Sequence, residues 1–348
     1  MGKASKMSII RFVCLAALTF TTFAGDLVFA SKAEAQQKLS RTEITIVRPV
    51  TVLIHGAGID AAIRMKAFEA EGLKANVSNF RGWSEVVQAT MSDQGVFGFG
   101  ASSLIRSVVG QDAPLRQIAM ISTLYPYNFW VRQDSGIKTI QDLRGKSIQT
   151  VRPGETLDLV WTEILAGAGL TMNDVKRVEG FDGFGALISK TVDAANMNES
   201  LFAKAKKAGF MRLVDYNELR AQRGMETTGA NNLGWGTSLK TLNENPDTVR
   251  AFLRALNKAT IRLREDEAFA TEVLSAAPYS MDADAIKEAY PLHKNRWVVR
   301  MDAEKGDFQF DIEKAREALG LPAEKMDRAK FVDPRPAADV IRELGVKY

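Results

Sequence analysis

The chain has 348 residues, 46% hydrophobic, 25% charged and 8% aromatic, a composition that excludes disordered, collagen-like and multi-span membrane proteins. At roughly 100–200 residues per domain, this length accommodates two domains or two lobes, each with its own core. Lys and Arg number 46 against 42 Asp and Glu, spread along the chain, so no basic face suits nucleic acid as a partner.

Residues 1–35 read as a secretory signal peptide. Lys3, Lys6 and Arg11 precede an apolar run from Phe12 to Gly25, and Ala33-Glu34-Ala35 supplies the small-x-small cleavage pattern, with Val28-Phe29-Ala30 as a second option. Asp26 ends the run well short of the roughly twenty apolar residues of a membrane anchor. Arg11-Phe12-Val13 is a poor lipobox for Cys14, so lipidation is the weaker reading. The mature chain is expected to begin at Gln36 and to reach the periplasm. Cleavage there removes Cys14, the single cysteine, and leaves His55 and His293 as the only imidazoles. No HExxH pair, multi-histidine spacing or DxDxDG loop is present, so neither a metal nor a cofactor is expected.

Downstream, Glu43 to Val47 and Val50 to Ile54 are β-branched runs that predict strands, and Ile59 to Glu71 predicts a helix closed by Gly72. Lys74 to Asn79 and Gly95 to Gly100 predict further strands, with helices over Trp83 to Met91 and Ala101 to Val109. Strands over Ile118 to Ile121 and Phe129 to Arg132 are followed by a helical turn, Gln141 to Lys146, and a strand over Ser147 to Val151. Thr156 to Gly167, Phe184 to Ser189 and Phe202 to Ala208 read as helices, separated by strands over Val175 to Val178 and Thr191 to Met197. Asn231 to Ser238 is expected to cross back, because Pro246 to Leu344 is nearly all helical and lacks strands for its own sheet. The alternation predicts an α/β fold of two lobes, each a mainly parallel sheet flanked by helices, with a helical C-terminal region. Lobe one takes residues 43–133 plus 232–348, and lobe two residues 134–231.

Four blocks carry a resemblance. DSGIKTIQDLRGKSI from Asp134, LAGAGLTMNDVKRV from Leu165, TVDAANMNES from Thr191 and NPDTVRAFLRALNKA from Asn245 resemble, in this order, the solute-binding proteins of ABC importers. They are most similar to the nitrate/taurine/sulfonate-type group, which also includes binders of thiamine-pyrimidine precursors. The resemblance implies a type II-like periplasmic binding protein, acting as a monomer, that closes its lobes over a small organic anion or zwitterion such as a sulfonate, taurine or a carboxylate. It also implies an inner-membrane ABC permease as partner and no catalysis. Phe97 stands where these proteins often carry aspartate, and Lys190 where a glycine usually precedes Val-Asp-Ala. A pyrimidine or aromatic ligand is the alternative. Pyrimidine synthases share the fold but rely on a cysteine-rich motif and a sacrificed histidine, so without a mature cysteine that activity is not expected.

The residues support a binding cleft independently. In open α/β sheets ligands lie beyond the carboxyl ends of the strands, where helix N-termini offer unpaired N–H groups. Four loops fall at such points: His55-Gly56-Ala57-Gly58, Gly100-Ala101-Ser102-Ser103, Arg152-Pro153-Gly154-Glu155-Thr156 and Asn198-Glu199-Ser200. Arg152 is an anion partner, with the N–H groups of Gly154, Glu155 and Thr156 beside it, while Glu155 competes for the same positive helix end. The plainer readings are a tight turn at Gly56, helix capping by Ser102 and Ser103, and core or hinge packing for Tyr125 and Tyr127. Trp235, flanked by Gly234 and Gly236, is expected to keep an accessible ring in the cleft. Gly180-Phe181-Asp182-Gly183-Phe184-Gly185 lacks GxGxxG spacing and no GxSxG elbow occurs, so nucleotide cradling and serine hydrolysis are unsupported.

Overall fold

The computed structural model describes residues 39–49, 53–100, 102–153, 155–224, 233–301, 316, 320 and 328–348. The expectations for the signal segment, Val50, Gly154 and the first residues of the return crossing fall outside them. Among the described residues eleven strands form two sheets. The first sheet holds β1 (Glu43–Pro49), β2 (Lys74–Phe80), β3 (Phe97–Phe99), β4 (Leu115–Ser122), β10 (Gly234–Ser238) and β11 (Trp297–Arg300), in the order β11-β4-β10-β3-β1-β2. The second holds β5 (Asn128–Arg132), β6 (Ser147–Thr150), β7 (Lys176–Glu179), β8 (Ala194–Asn196) and β9 (Phe210–Asp215), in the order β7-β6-β8-β5-β9.

The sheets are mixed rather than mainly parallel, and the exceptions have a cause. β1 runs parallel to β2 and β3, and β6 runs parallel to β7 and β8. Each of these links passes through a helix on its own sheet, as a parallel pairing requires. β5 and β10 instead arrive from the opposite sheet, and each is antiparallel to both of its neighbours. The crossing from the first sheet to the second therefore occurs between Ser122 and Asn128. Phe129–Arg132, assigned by chain order to the first lobe, pairs with β8 and β9 of the second sheet. The C-terminal region also contains a strand, since β11 adds to the edge of the first sheet antiparallel to β4.

The helix Pro246–Glu265 closes the first core. Proline in its first turn sacrifices no hydrogen bond, and Val249, Phe252, Leu256, Ala259 and Leu263 recur every three or four residues to form one buried face. Phe252 stacks on Phe97 at 3.8 Å between ring centroids and meets Trp235 edge-on at 5.6 Å. The second sheet packs Phe129 against Trp161 on one face and Trp130 against Phe202 on the other. The helix Ala283–His293 follows the first core in the chain yet is tied to the helix Phe202–Lys207 by the ion pairs Lys206–Glu288 and Lys207–Asp284. It thus joins the two sheets' layers on one side.

Candidate functional site

β1 and β3 are parallel, so the turn holding His55 and the helix start at Ser102 leave the same carboxyl edge of the first sheet. β6 and β8 are parallel, so Arg152–Thr156 and Asn198–Ser200 share the carboxyl edge of the second. The two edges meet at a buried cluster. His55, in the 3-10 turn Ile54–Gly56, lies beside His293, the last residue of the helix Ala283–His293, and Glu199, in the 3-10 turn that follows β8. One ligand-type atom from each residue lies within 4.8 Å of the others.

Local structure explains why these side chains converge. The Trp297 indole N–H donates to the Ile54 carbonyl at 3.1 Å and holds the His55 turn against β11. His293 packs on the same indole at 5.5 Å and meets the His55 ring edge-on at 4.5 Å. Asn198 caps its turn, accepting from the Ser200 N–H at 3.2 Å and also from the Ser200 hydroxyl, which presents Glu199 inward. The Asn128 side-chain amide donates to Glu199 Oε1 at 3.2 Å.

The cluster is dry. His55 is 1% exposed, His293 0% and Glu199 3%. Both ring nitrogens of each histidine and Oε2 of Glu199 have no hydrogen-bond partner. Burial lowers the His55 pKa to about 3, against the opposing pull of Glu199, so the imidazole is neutral at physiological pH. Burial alone would raise the Glu199 carboxyl, but the two histidines outweigh it and hold the pKa at about 2, in the carboxylate form. A neutral His55 imidazole beside the Glu199 carboxylate is in the form that coordinates a metal. The expectation of no metal site rested on spacing along the chain, and folding brings together donors that no such spacing contains.

A small cavity adjoins this cluster, lined in part by His55, Gly56, Gly58, Trp235, Thr260 and Trp297. A methyl at Gly58 would lie 3.0 Å from Thr260 Oγ1, so glycine keeps this space open. The structure thus unites His55, Gly56 and Trp235. Trp235 is only 2% exposed, contrary to the accessible ring expected from its glycine neighbours. Those glycines serve packing: a Cβ at Gly234 would lie 2.3 Å from the Ala119 carbonyl oxygen, and one at Gly236 2.2 Å from Leu104 Cδ1.

The other sequence candidates lie apart from this cavity's lining or serve the fold. Arg152 is exposed, while Glu155 is the N-cap residue and Thr156 the first residue of the helix Thr156–Ala166, both half-buried. Gly154 and the side chains of Ser102 and Ser103 lie outside the described residues. Tyr125 and Tyr127 pack edge-on against Tyr216, at 5.4 and 6.0 Å, within the second core. Sequence reasoning gave no role to His293, Trp297 or Thr260. Their one available signal was the scarcity of histidine.

A family model described as NMT1/THI5 like matches residues 57–268. No curated protein sequence matches the chain. Among solved structures, the alkanesulfonate-binding protein SsuA from Xanthomonas axonopodis pv. citri, bound to MOPS, is 17% identical over 85% of this chain and 98% of that one, with a TM-score of 0.67. The periplasmic nitrate-binding protein NrtA from Synechocystis PCC 6803 is 12% identical over 88% of this chain and 90% of its own, with a TM-score of 0.66. The desulfurization enzyme DSZB is 16% identical over 87% of this chain and 100% of its own, with a TM-score of 0.63. At these identities the likeness is one of fold.

Proposed function

The chain belongs to the NMT1/THI5-like family and has the fold of two-lobed periplasmic solute-binding proteins, and from that premise we propose that it captures a small organic anion or zwitterion for an ABC importer. The observation that carries this reading is the meeting of the two sheets' carboxyl edges at His55 and Glu199, beside a cavity walled by Trp235 and Trp297. Lobes 43–133 plus 232–348 and 134–231, with the boundary strand Phe129–Arg132 moved to the second, close on the solute. A ligand that binds the closed form better shifts the population toward it. The Arg152–Thr156 loop supplies an anion contact on closure, and the sulfonate and nitrate binders of the same fold support that charge preference. Glu155 at the same helix end favours a zwitterion such as an amino-sulfonate.

DSZB establishes that this fold also supports catalysis. Among the described residues, Asn128 donates to Glu199, and Trp297 packs on His293 and holds the His55 turn, contacts that position the cluster. Binding without chemistry is the reading we adopt, supported by the sulfonate and nitrate binders of the same fold.

A thermal-shift screen against sulfonates, taurine, carboxylates, nitrate and pyrimidines tests the function. The cognate solute at 100 times its Kd should add about 2.7 kcal/mol of stability. Arg152→Ala should then weaken an anionic solute at least tenfold, in line with a charge-assisted hydrogen bond of about 1.5–3 kcal/mol. Unchanged affinity would remove this loop from the site, and a response confined to pyrimidines would replace the anion class with the aromatic one. Export is the companion expectation. N-terminal sequencing of protein from the periplasm should begin at Gln36, and an intact Met1 on cytoplasmic protein would overturn the importer assignment.

A further inference from the structure

We propose that His55, Glu199 and His293 form a binding site for one divalent transition-metal ion of the zinc class, with a nitrogen from each imidazole and Oε2 of Glu199 as donors. The site draws on both layers of the fold, because His55 follows β1 of the first sheet and Glu199 follows β8 of the second. The ion therefore clamps the two carboxyl edges together, whatever solute the protein carries.

Three observations converge on it. The first is distance: His293 Nε2 and Glu199 Oε2 are 3.6 Å apart. Metal–ligand bonds of about 2.0–2.2 Å set tetrahedrally span roughly 3.4 Å between donors, so this pair is nearly in range, and side-chain shifts on the order of 1 Å would draw in a set whose atoms lie within 4.8 Å of one another. The second is the hydrogen-bond inventory. Five nitrogen and oxygen atoms of three side chains, each at least nine-tenths buried, make no hydrogen bond, and one such donor from each residue lies within 4.8 Å of the others. Buried polar groups are normally satisfied, and a bound ion would satisfy one atom of each residue at once. The third is donor chemistry. Two histidines and a glutamate make a known three-ligand zinc set that leaves a fourth position for water or a ligand. Asn128 on Glu199 Oε1 fixes the carboxylate with Oε2 turned to the histidines, as outer partners do in metal sites.

The chain contains only two histidines, which makes the test clean. Tag-free mature protein, stripped with EDTA and dialysed, is titrated with Zn²⁺ by calorimetry and separately with Co²⁺ by visible absorption. We expect one ion per chain, a raised thermal midpoint, and the intense bands of low-coordinate Co²⁺. Glu199→Gln keeps an acceptor for Asn128 while removing the charge, and should weaken binding at least tenfold. His293→Gln should do the same and abolish the Co²⁺ bands. Absence of stoichiometric binding by the wild-type chain, octahedral Co²⁺ absorption as in water, or full affinity in a Glu199→Gln variant with native circular dichroism would each overturn the site. Solute binding is read in a different assay, so failure of the metal site leaves the solute-capture reading intact.

Discussion

Trp235→Ala should cost about 3–5 kcal/mol of folding free energy, the range for truncating a buried large aromatic. The residue stands in β10, between β3 and β4 at the centre of the first sheet. Its ring lies 5.1 Å from Phe99 and 5.6 Å from Phe252, and Phe252 in turn stacks on Phe97 and Phe68. Removing the indole strips one contact surface from this aromatic column. The strands around it are too tightly packed to collapse into the gap, as the close approaches at Gly234 and Gly236 show. Urea unfolding followed by circular dichroism would show the loss as a lower midpoint at constant slope. A cost under about 1 kcal/mol would mean that the indole contributes little to the core. Trp235→Phe keeps most of the column and enlarges the cavity beside His55, so it should alter solute preference more than stability.

Arg220→Ala should cost about 3 kcal/mol through a different mechanism. Arg220 is 2% exposed, yet its guanidinium sits 5.0 Å from the Tyr125 ring and 3.7 Å from Glu163 Oε2. The Tyr216 hydroxyl donates to the same Glu163 oxygen at 2.5 Å and accepts from Arg220 at 3.3 Å. Burial, with the neighbouring Glu163 carboxylate, pushes the Tyr216 hydroxyl far above its usual pKa, so it remains a donor at every accessible pH. Deleting one member of a buried charged network leaves the other charge poorly compensated, which costs about 3–5 kcal/mol. Arg223, 3.5 Å from Glu163 Oε1, offsets part of that and sets the expectation near the lower end. The check is a double-mutant cycle with Glu163→Gln. The double variant should lose clearly less than the sum of the singles, and strict additivity would show that the two groups do not interact. Tyr125 and Tyr127 belong to this network by contact, which is why they strengthen the second core instead of lining the cavity beside His55.

By itself the sequence determined the features that depend on neighbours along the chain. Apolar periodicity placed the helix Trp83–Met91 at its observed limits, β2 within a residue, and the alternation of strands and helices through both lobes. The four blocks pointed to the fold because their order records the succession of elements. Tertiary structure alone decided what depends on residues distant in sequence. Strand direction followed from which sheet the chain entered, so β5 and β10 turned antiparallel although their own residues carry no mark of it. Trp297–Arg300 became a strand because the edge of β4 was open to pair with it. Glycines beside Trp235 suggested accessibility, but the space they leave is taken by Ala119 and Leu104 from other elements. His55, Glu199 and His293 carry no spacing motif, since a donor set assembled from two sheets and a helix end has no fixed separation in the chain. Local propensity acts over a turn or a strand, whereas this site exists only where packing has brought the two carboxyl edges together and buried the three side chains between them.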